Sequence, residues 1–261
     1  MYFEVRGKKT FCSNGTGSIE PGRPSVVFVH GAGQDHSTFV LAARYFARQE
    51  FNVYAVDLPG HGRSEGEVLG SIKGMADWLH DALEAFGVTQ TAIVGYSMGS
   101  LVCLQFAADY PDKVRSMALV GTSIPMPVSD PLLGAAKANS HDAFAMANTW
   151  SHSKRAQLGG NENPGISMMM AGQRLLEITN DGVFYADLEA CNEFAFSLET
   201  AQKIKTDALV FIGDRDQMTV PVKAEQVAEA IPKCKTIRLA SGHAMFSEHP
   251  NAVLDGLITI V

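Results

Sequence analysis

The stretch Gly95-Tyr96-Ser97-Met98-Gly99 constrains this chain more than any other. An apolar run, Thr91-Ala92-Ile93-Val94, enters it. A helical run from Ser100 to Tyr110 leaves it and stops at Pro111. A strand, a sharp turn and a helix in that order push the central serine out at the strand end. The two glycines meet a steric need, because the turn is too tight for a Cβ at either position. The serine also stands at a helix N-terminus, where free backbone N–H groups favour developing negative charge. Ser97 is therefore a candidate nucleophile.

The rest of the chain supplies a frame for such a turn. Ser25 to Val29 and Asn52 to Val56 are unbroken apolar runs, as expected of strands buried on both faces of a parallel sheet. Tyr2–Arg6 and Thr10–Ser13 flank Gly7-Lys8 and read as an opening hairpin. Thr38 to Gln49 reads as a helix. Behind Ser71, a candidate N-cap, Ile72, Met75, Leu79, Leu83 and Phe86 form one apolar stripe that stops at Gly87. Strands follow at Arg115–Val120, Ala208–Ile212 and Thr236–Leu239, with helices at Pro221–Ile231 and Asn251–Val261. The alternation predicts an α/β fold, doubly wound around a mostly parallel sheet.

Between residues 121 and 206 the strand-like runs vanish. Helical pieces replace them at Pro131–Asn139, Ala143–Ser151, Ser167–Ile178 and Phe184–Phe194, punctuated by Pro125, Pro127, Gly159-Gly160 and Pro164-Gly165. The expectation is a core built from residues 1–120 and 207–261, with a helical cap, 121–206, inserted between two strands.

A serine hydroxyl needs a base to take its proton, and the base needs an acid to orient it. Loops after later strands are the places to look. His243 follows Gly242 at a strand end. Its rival His249 sits beside Pro250 at the start of the last helix and reads as surface. Two acids compete in the loop after Ala208–Ile212: Asp214, just past Gly213, and Asp216, two residues further on. An oxyanion also needs N–H donors. Met98 follows the serine and can supply one. The loop His30-Gly31-Ala32-Gly33 can supply the other, with Ala32 as the donor. Its glycines do not make a dinucleotide fingerprint, because the third glycine position holds His36.

Together these pieces resemble the α/β-hydrolase superfamily, in its small capped members. The resemblance rests on His30-Gly31-Ala32-Gly33, Asp57-Leu58-Pro59-Gly60-His61-Gly62-Arg63-Ser64, Gly95–Gly99, Gly213 with Asp216 and Pro221, and Gly242-His243 followed by Glu248 and Pro250. It implies a sheet of the α/β-hydrolase type and a catalytic set of Ser97, Asp216 and His243. The family pattern thus selects Asp216 over Asp214. The loop after the strand Arg115–Val120, where some relatives carry the acid, begins Gly121-Thr122-Ser123-Ile124 and offers none. Asp57–Ser64 is a structural hallmark without a catalytic role. Relatives that open epoxides or displace halide carry an aspartate where this chain has Ser97.

The implied activity is serine-dependent hydrolysis of a small or medium carboxylic ester through an acyl-enzyme, with no metal and no cofactor. Hydrolysis of a carbon–carbon bond or an enol-lactone would use the same residues, and a slow-turnover ligand sensor would keep the same fold. Substrate choice is expected to lie in the cap, which is rich in methionine and aromatics, with Gly31, His36, Tyr96, Phe144, Trp150 and Met169 as candidate pocket residues.

Charge narrows the partners. The 261 residues carry a net charge of −7 without a basic block, which argues against nucleic acid and anionic membranes as partners and otherwise serves solubility, while the family resemblance implies a small-molecule, ester-like partner. The start of the chain has no long apolar segment, and no run approaches a membrane span. Cys12, Cys103, Cys191 and Cys234 are scattered and suggest no metal or disulfide framework. A cytoplasmic protein, monomer or homodimer, is expected.

Overall fold

The apolar strands divide their side chains between two faces with a period of two. Val27, Val29, Ile93, Met117, Leu119, Val210 and Ile212 enter one core. Their neighbours Val26, Phe28, Ala92, Val94, Ala118, Val120, Leu209 and Phe211 enter the other. A sheet buried on both sides needs helices on both sides. The computed structural model, described here for residues 1–162 and 165–261, has that architecture.

Eight strands form one sheet in the order β1-β2-β4-β3-β5-β6-β7-β8. They are β1 (Tyr2–Val5), β2 (Lys8–Ser13), β3 (Ser25–Val29), β4 (Asn52–Val56), β5 (Thr91–Tyr96), β6 (Val114–Val120), β7 (Asp207–Gly213) and β8 (Cys234–Leu239). β1 and β2 pair antiparallel, and β2 pairs antiparallel with β4. From β4 to β8 every pairing is parallel. The hairpin turns at Arg6 and Gly7, both at positive φ (50° and 71°), the geometry that a two-residue turn between twisted strands requires.

Helices α2 (Ile72–Phe86), α3 (Met98–Asp109) and α10 (Pro221–Ala230) cover the first face. Helices α1 (Val40–Arg48) and α12 (Pro250–Ile258) cover the second. Ser71 caps α2 by accepting the Gly74 N–H, and Gly87 ends it in the left-handed region at φ 70°. The single helix expected over Thr38–Gln49 is two pieces, a 3-10 turn His36–Phe39 followed by α1. Asp35 starts the tighter turn early, because its carboxylate accepts the Ser37 N–H. The last helix is likewise preceded by a separate turn of helix, α11 (Met245–Glu248).

Among the described residues, six helices lie between β6 and β7. They are α4 (Asp130–Lys137), α5 (His141–Ser151), α6 (Lys154–Gln157), α7 (Met168–Glu177), α8 (Val183–Asn192) and α9 (Leu198–Ala201). The two shortest, α6 and α9, have too few residues to show a periodic stripe in the sequence. Leu132, Ala143, Ala147, Leu176, Phe184 and Leu188 form a separate small core among these helices. The ends of the insertion do not belong to it. Ile124, Met126, Cys191, Phe196, Ala201 and Ile204 pack with the first face of the sheet. Pro164, one of the expected punctuating residues, lies outside the described residues.

Backbone packs closely where α3 leaves β5. A Cβ on Gly95 would lie 2.2 Å from the Gly99 carbonyl oxygen, and one on Gly99 would lie 2.0 Å from that of Val29. Backbone cannot yield as a flexible side chain can. Alanine would otherwise favour the first turn of a helix by up to about 1 kcal/mol over glycine, so the clash decides the sign. Gly99→Ala is expected to destabilise the protein by about 1–3 kcal/mol, the usual cost of overpacking. Urea unfolding reads this directly, and an unchanged midpoint would show that α3 and β3 are not held this close.

Candidate active site

Ser97 stands between β5 and α3 at φ 53°, ψ −120°, a conformation that L-residues avoid. Such strain costs of order 1–3 kcal/mol and needs over-determined surroundings. Those surroundings are present. The Ser97 N–H donates to the Val120 carbonyl at 2.9 Å. The Ser97 carbonyl accepts the Ser100 N–H at 2.8 Å and the Ser100 hydroxyl at 2.6 Å. Next to it, the Tyr96 side chain is buried and packs against His243, with ring centroids 5.3 Å apart. The Tyr96 hydroxyl donates to the His243 carbonyl at 3.2 Å. Burial, and after it the charges of Asp216 and Glu248, push this phenol well above its ordinary pKa, so it stays a donor.

His243 lies in the loop after β8 and is paired with Asp216, Nδ1 to Oδ2, at 2.8 Å. Asp216 is almost fully saturated with donors. Its Oδ1 accepts the N–H groups of Met218 and Thr219, each at 2.8 Å, and its Oδ2 accepts the Thr219 hydroxyl at 2.7 Å. Burial by itself would raise the Asp216 pKa. Attraction to His243 and the hydrogen bonds from His243 and Thr219 outweigh it and hold the carboxyl below its ordinary range. Asp214 takes no part. It is exposed and paired with Arg238 at 2.6 Å. His249 is paired with Glu162 at 2.7 Å.

The histidine loop is gripped from both sides. A Cβ on Gly121, which sits at φ 64°, would lie 2.8 Å from His243 Cε1. A Cβ on Gly242 would lie 2.7 Å from the Ser151 carbonyl oxygen. Gly242 therefore serves close packing against the insertion. The buried Glu248 completes the grip: its Oε1 accepts the N–H groups of Gly242 and Ser153, both at 3.0 Å.

The loop after β3 comes equally close. A Cβ on Gly31 would lie 3.2 Å from Ser97 Cβ. His30 is fully buried and locks this loop: its Nδ1 donates to the Gly31 carbonyl at 2.9 Å and its Nε2 accepts the Leu58 N–H at 3.2 Å. Burial, then the neighbouring His61, lower its pKa to about 3, which keeps it neutral in this role. Met98 is the first residue of α3, so its N–H has no carbonyl a turn earlier to bond. Its side chain is wholly buried and anchors the turn.

Ser97 and Ala32 line one cavity of about 220 Å³. The insertion contributes Trp150, Leu132, Leu188 and Cys191 to it, and the acid loop contributes Met218 and Thr219. Of the six candidate pocket residues, Trp150 lines this cavity and Gly31 lies close enough to Ser97 that a Cβ there would meet it. The other four are placed elsewhere. His36 is drawn to Asp57, Nδ1 to Oδ1 at 2.8 Å, and packs on Phe11. Phe144 packs on Phe184 within the core of the insertion. Met169 lies in α7, where its carbonyl accepts the Asn148 side-chain N–H. Tyr96 supports His243 from below and lines a neighbouring cavity instead. Asp35, His36 and Asp57 bring three metal-type ligand atoms within 4.8 Å of one another. Hydrogen bonds already use them: Asp57 accepts the His36 ring and the backbone N–H groups of His36 and Arg63, and Asp35 caps Ser37.

Among the described residues no helix is long and apolar enough to cross a membrane. A family model described as the alpha/beta hydrolase fold matches residues 24–250. A putative carbamate hydrolase RutD of Klebsiella pneumoniae is 28% identical over 240 residues, 86% of each chain. A pimeloyl-[acyl-carrier protein] methyl ester esterase of Chromobacterium violaceum is 41% identical over 100 residues, which span 38% of this chain and only 37% of that protein. Among solved structures, an enol-lactonase from Burkholderia xenovorans superposes with a TM-score of 0.87 at 20% identity, covering 99% of this chain and 98% of the other. An esterase from Exiguobacterium antarcticum gives 0.86 at 19%, with the same coverage. At such identity these structural likenesses speak to the fold.

The Thr219 hydroxyl favours the ionised form of Asp216, and the sign of its effect with pH follows. A carboxyl held below its ordinary pKa adds stability above the ordinary carboxylate range, and loses it as pH falls through the folded value. Thr219→Val is expected to cost about 1–3 kcal/mol at pH 7, the cost of a lost hydrogen bond to a charge. The gap to wild type should narrow below about pH 4. Urea unfolding at stepped pH measures it, and a pH-independent gap would mean the hydroxyl does not serve the carboxylate.

Proposed function

The chain belongs to the alpha/beta hydrolase fold family, and we propose that it is a serine hydrolase that cleaves a small or medium carboxylic ester through an acyl-enzyme. One observation carries this reading. Ser97, strained at the tip of its turn, shares a cavity with Ala32, while His243 is tied to a saturated Asp216 in the loops beside it.

Because Nδ1 of His243 is committed to Asp216, Nε2 is the nitrogen left to take the Ser97 proton. The Ser97 oxygen then bonds to the ester carbonyl carbon, and the carbonyl electrons move onto oxygen. The N–H groups of Ala32 and Met98 receive that oxyanion. Collapse breaks the bond to the alkoxy group, which leaves with the proton held by His243. His243 next takes a proton from water, whose oxygen attacks the acyl carbon, and returns it to Ser97 as the acid departs. Asp216 stays ionised throughout and stabilises the imidazolium.

Residues 121–206 act as the lid over this site. Trp150, Leu132 and Leu188 make its cavity mainly apolar, which suits a short acyl chain or a small aromatic group. By their names, the similar proteins described above act on a methyl ester, a carbamate and an enol-lactone, classes of compound that share an acyl carbon open to attack by a serine oxygen. Enol-lactone hydrolysis is the second reading, and a panel of esters, lactones and thioesters separates the two.

A fluorophosphonate should label wild-type protein at Ser97. Ser97→Ala should abolish labelling and lower turnover of p-nitrophenyl butyrate by roughly 10³-fold or more. Turnover retained in that variant would remove Ser97 from the mechanism.

A further inference from the structure

A buried carboxylate that the catalytic steps do not use lies directly behind the oxyanion loop. Asp187, in α8 of the insertion, is fully buried. Its Oδ2 accepts the backbone N–H of Gly33 at 2.8 Å and faces His61 Nε2, also at 2.8 Å. The other nitrogen of His61 donates to the Pro59 carbonyl at 3.0 Å. With acceptors on both nitrogens, His61 is suited to carry both protons and a positive charge. Burial opposes that charge, yet the attraction of Asp187 outweighs it and raises the His61 pKa.

Gly33 is the residue after Ala32, the donor in the oxyanion loop, and sits at φ 65°. The insertion presses on it. A Cβ on Gly33 would lie 2.7 Å from the Phe184 ring and 3.3 Å from Leu176 Cδ2. A second link runs nearby, from the Asn180 side-chain N–H to the Gly60 carbonyl at 3.3 Å. The loop therefore has two anchors of different origin. From the sheet side His30 holds the Gly31 carbonyl, and from the insertion Asp187 holds the Gly33 N–H. The peptide groups around Ala32 lie between them.

We propose that Asp187, braced by His61, is a positioning residue of the acyl-transfer reaction, which sets the direction of the Ala32 N–H and so makes a complete oxyanion site depend on docking of the insertion. The assignment rests on the serine-hydrolase reading. An N–H acting on a developing oxyanion matters most in the transition state. Loss of its anchor should therefore lower kcat and leave KM nearly unchanged.

The test compares wild type, Asp187→Ala and Asp187→Asn with p-nitrophenyl butyrate and with a trifluoromethyl ketone that forms a tetrahedral adduct on Ser97. Asp187→Ala is expected to lower kcat by about tenfold or more, with KM within about twofold, since losing a whole oxyanion donor costs roughly 10²–10³. Affinity for the ketone should fall in parallel with kcat/KM. The pH at which His243 titrates in kcat/KM should not move. Asp187→Asn keeps the shape and one acceptor for Gly33, so its loss should be smaller and in the same direction. If Asp187→Ala does not fold, the same split in Asp187→Asn carries the test. A folded variant with reduced thermal stability but wild-type kcat and ketone affinity would overturn the positioning role. Wild-type protein that neither takes a fluorophosphonate nor turns over would overturn the hydrolase reading beneath it.

Discussion

The contact of Gly99 with the Val29 carbonyl is what the rest of the site depends on. It allows α3 to start directly against the end of β3. That closeness forces the chain to reverse between β5 and α3 through one residue, which must accept a positive φ. It also brings the first turn of α3 beside the loop that continues β3, so that Gly31 lies against Ser97. A methyl group at position 99 would separate serine, helix terminus and the loop after β3 at once.

Around that contact, the loops are held by buried carboxylates that collect backbone N–H groups. Asp216 gathers Met218 and Thr219 and presents its remaining face to His243. Glu248 joins Gly242 of the histidine loop to Ser153 of the insertion. Asp187 joins the insertion to Gly33. Asp57 fastens His36 and Arg63. Loop N–H groups have no ladder to satisfy them, and a buried one left unpaired costs about as much as a lost hydrogen bond. An ionised carboxylate accepts several at once, and the charge strengthens each bond. Two of the four tie the helical insertion to the loops beside Ser97, so the insertion braces those loops as well as lining the cavity there.

The legible parts of the chain were those with local causes. Strand runs, the α2 stripe with its Ser71 and Gly87 ends, and the glycines of the tight turn follow from side-chain periodicity and backbone sterics. The 3-10 turn at His36–Phe39 was not legible, because it depends on an Asp35 cap that mimics an ordinary turn acid. Gly121 looked like a loop glycine until the His243 ring lay against it. The pocket residues were the least legible. Phe144 and Trp150 are both cap aromatics, yet one packs on Phe184 and the other lines the cavity, a difference set by neighbours far away in sequence.

By itself the sequence determined an alternating α/β sheet, a serine at a strand-to-helix turn and a histidine after a later strand, because each depends on residues within a few positions of one another. The family resemblance pointed to Asp216 over Asp214, but only the tertiary structure shows why two acids in one loop differ. Asp214 and Asp216 are two residues apart. The first points to Arg238 at the surface, and the second turns inward to His243, 27 residues further on. It also revealed Asp187, whose partners His61 and Gly33 lie 126 and 154 residues away. Local propensity carries no information about such pairings, since they form only when separate segments are packed together and buried charge must find its counterpart.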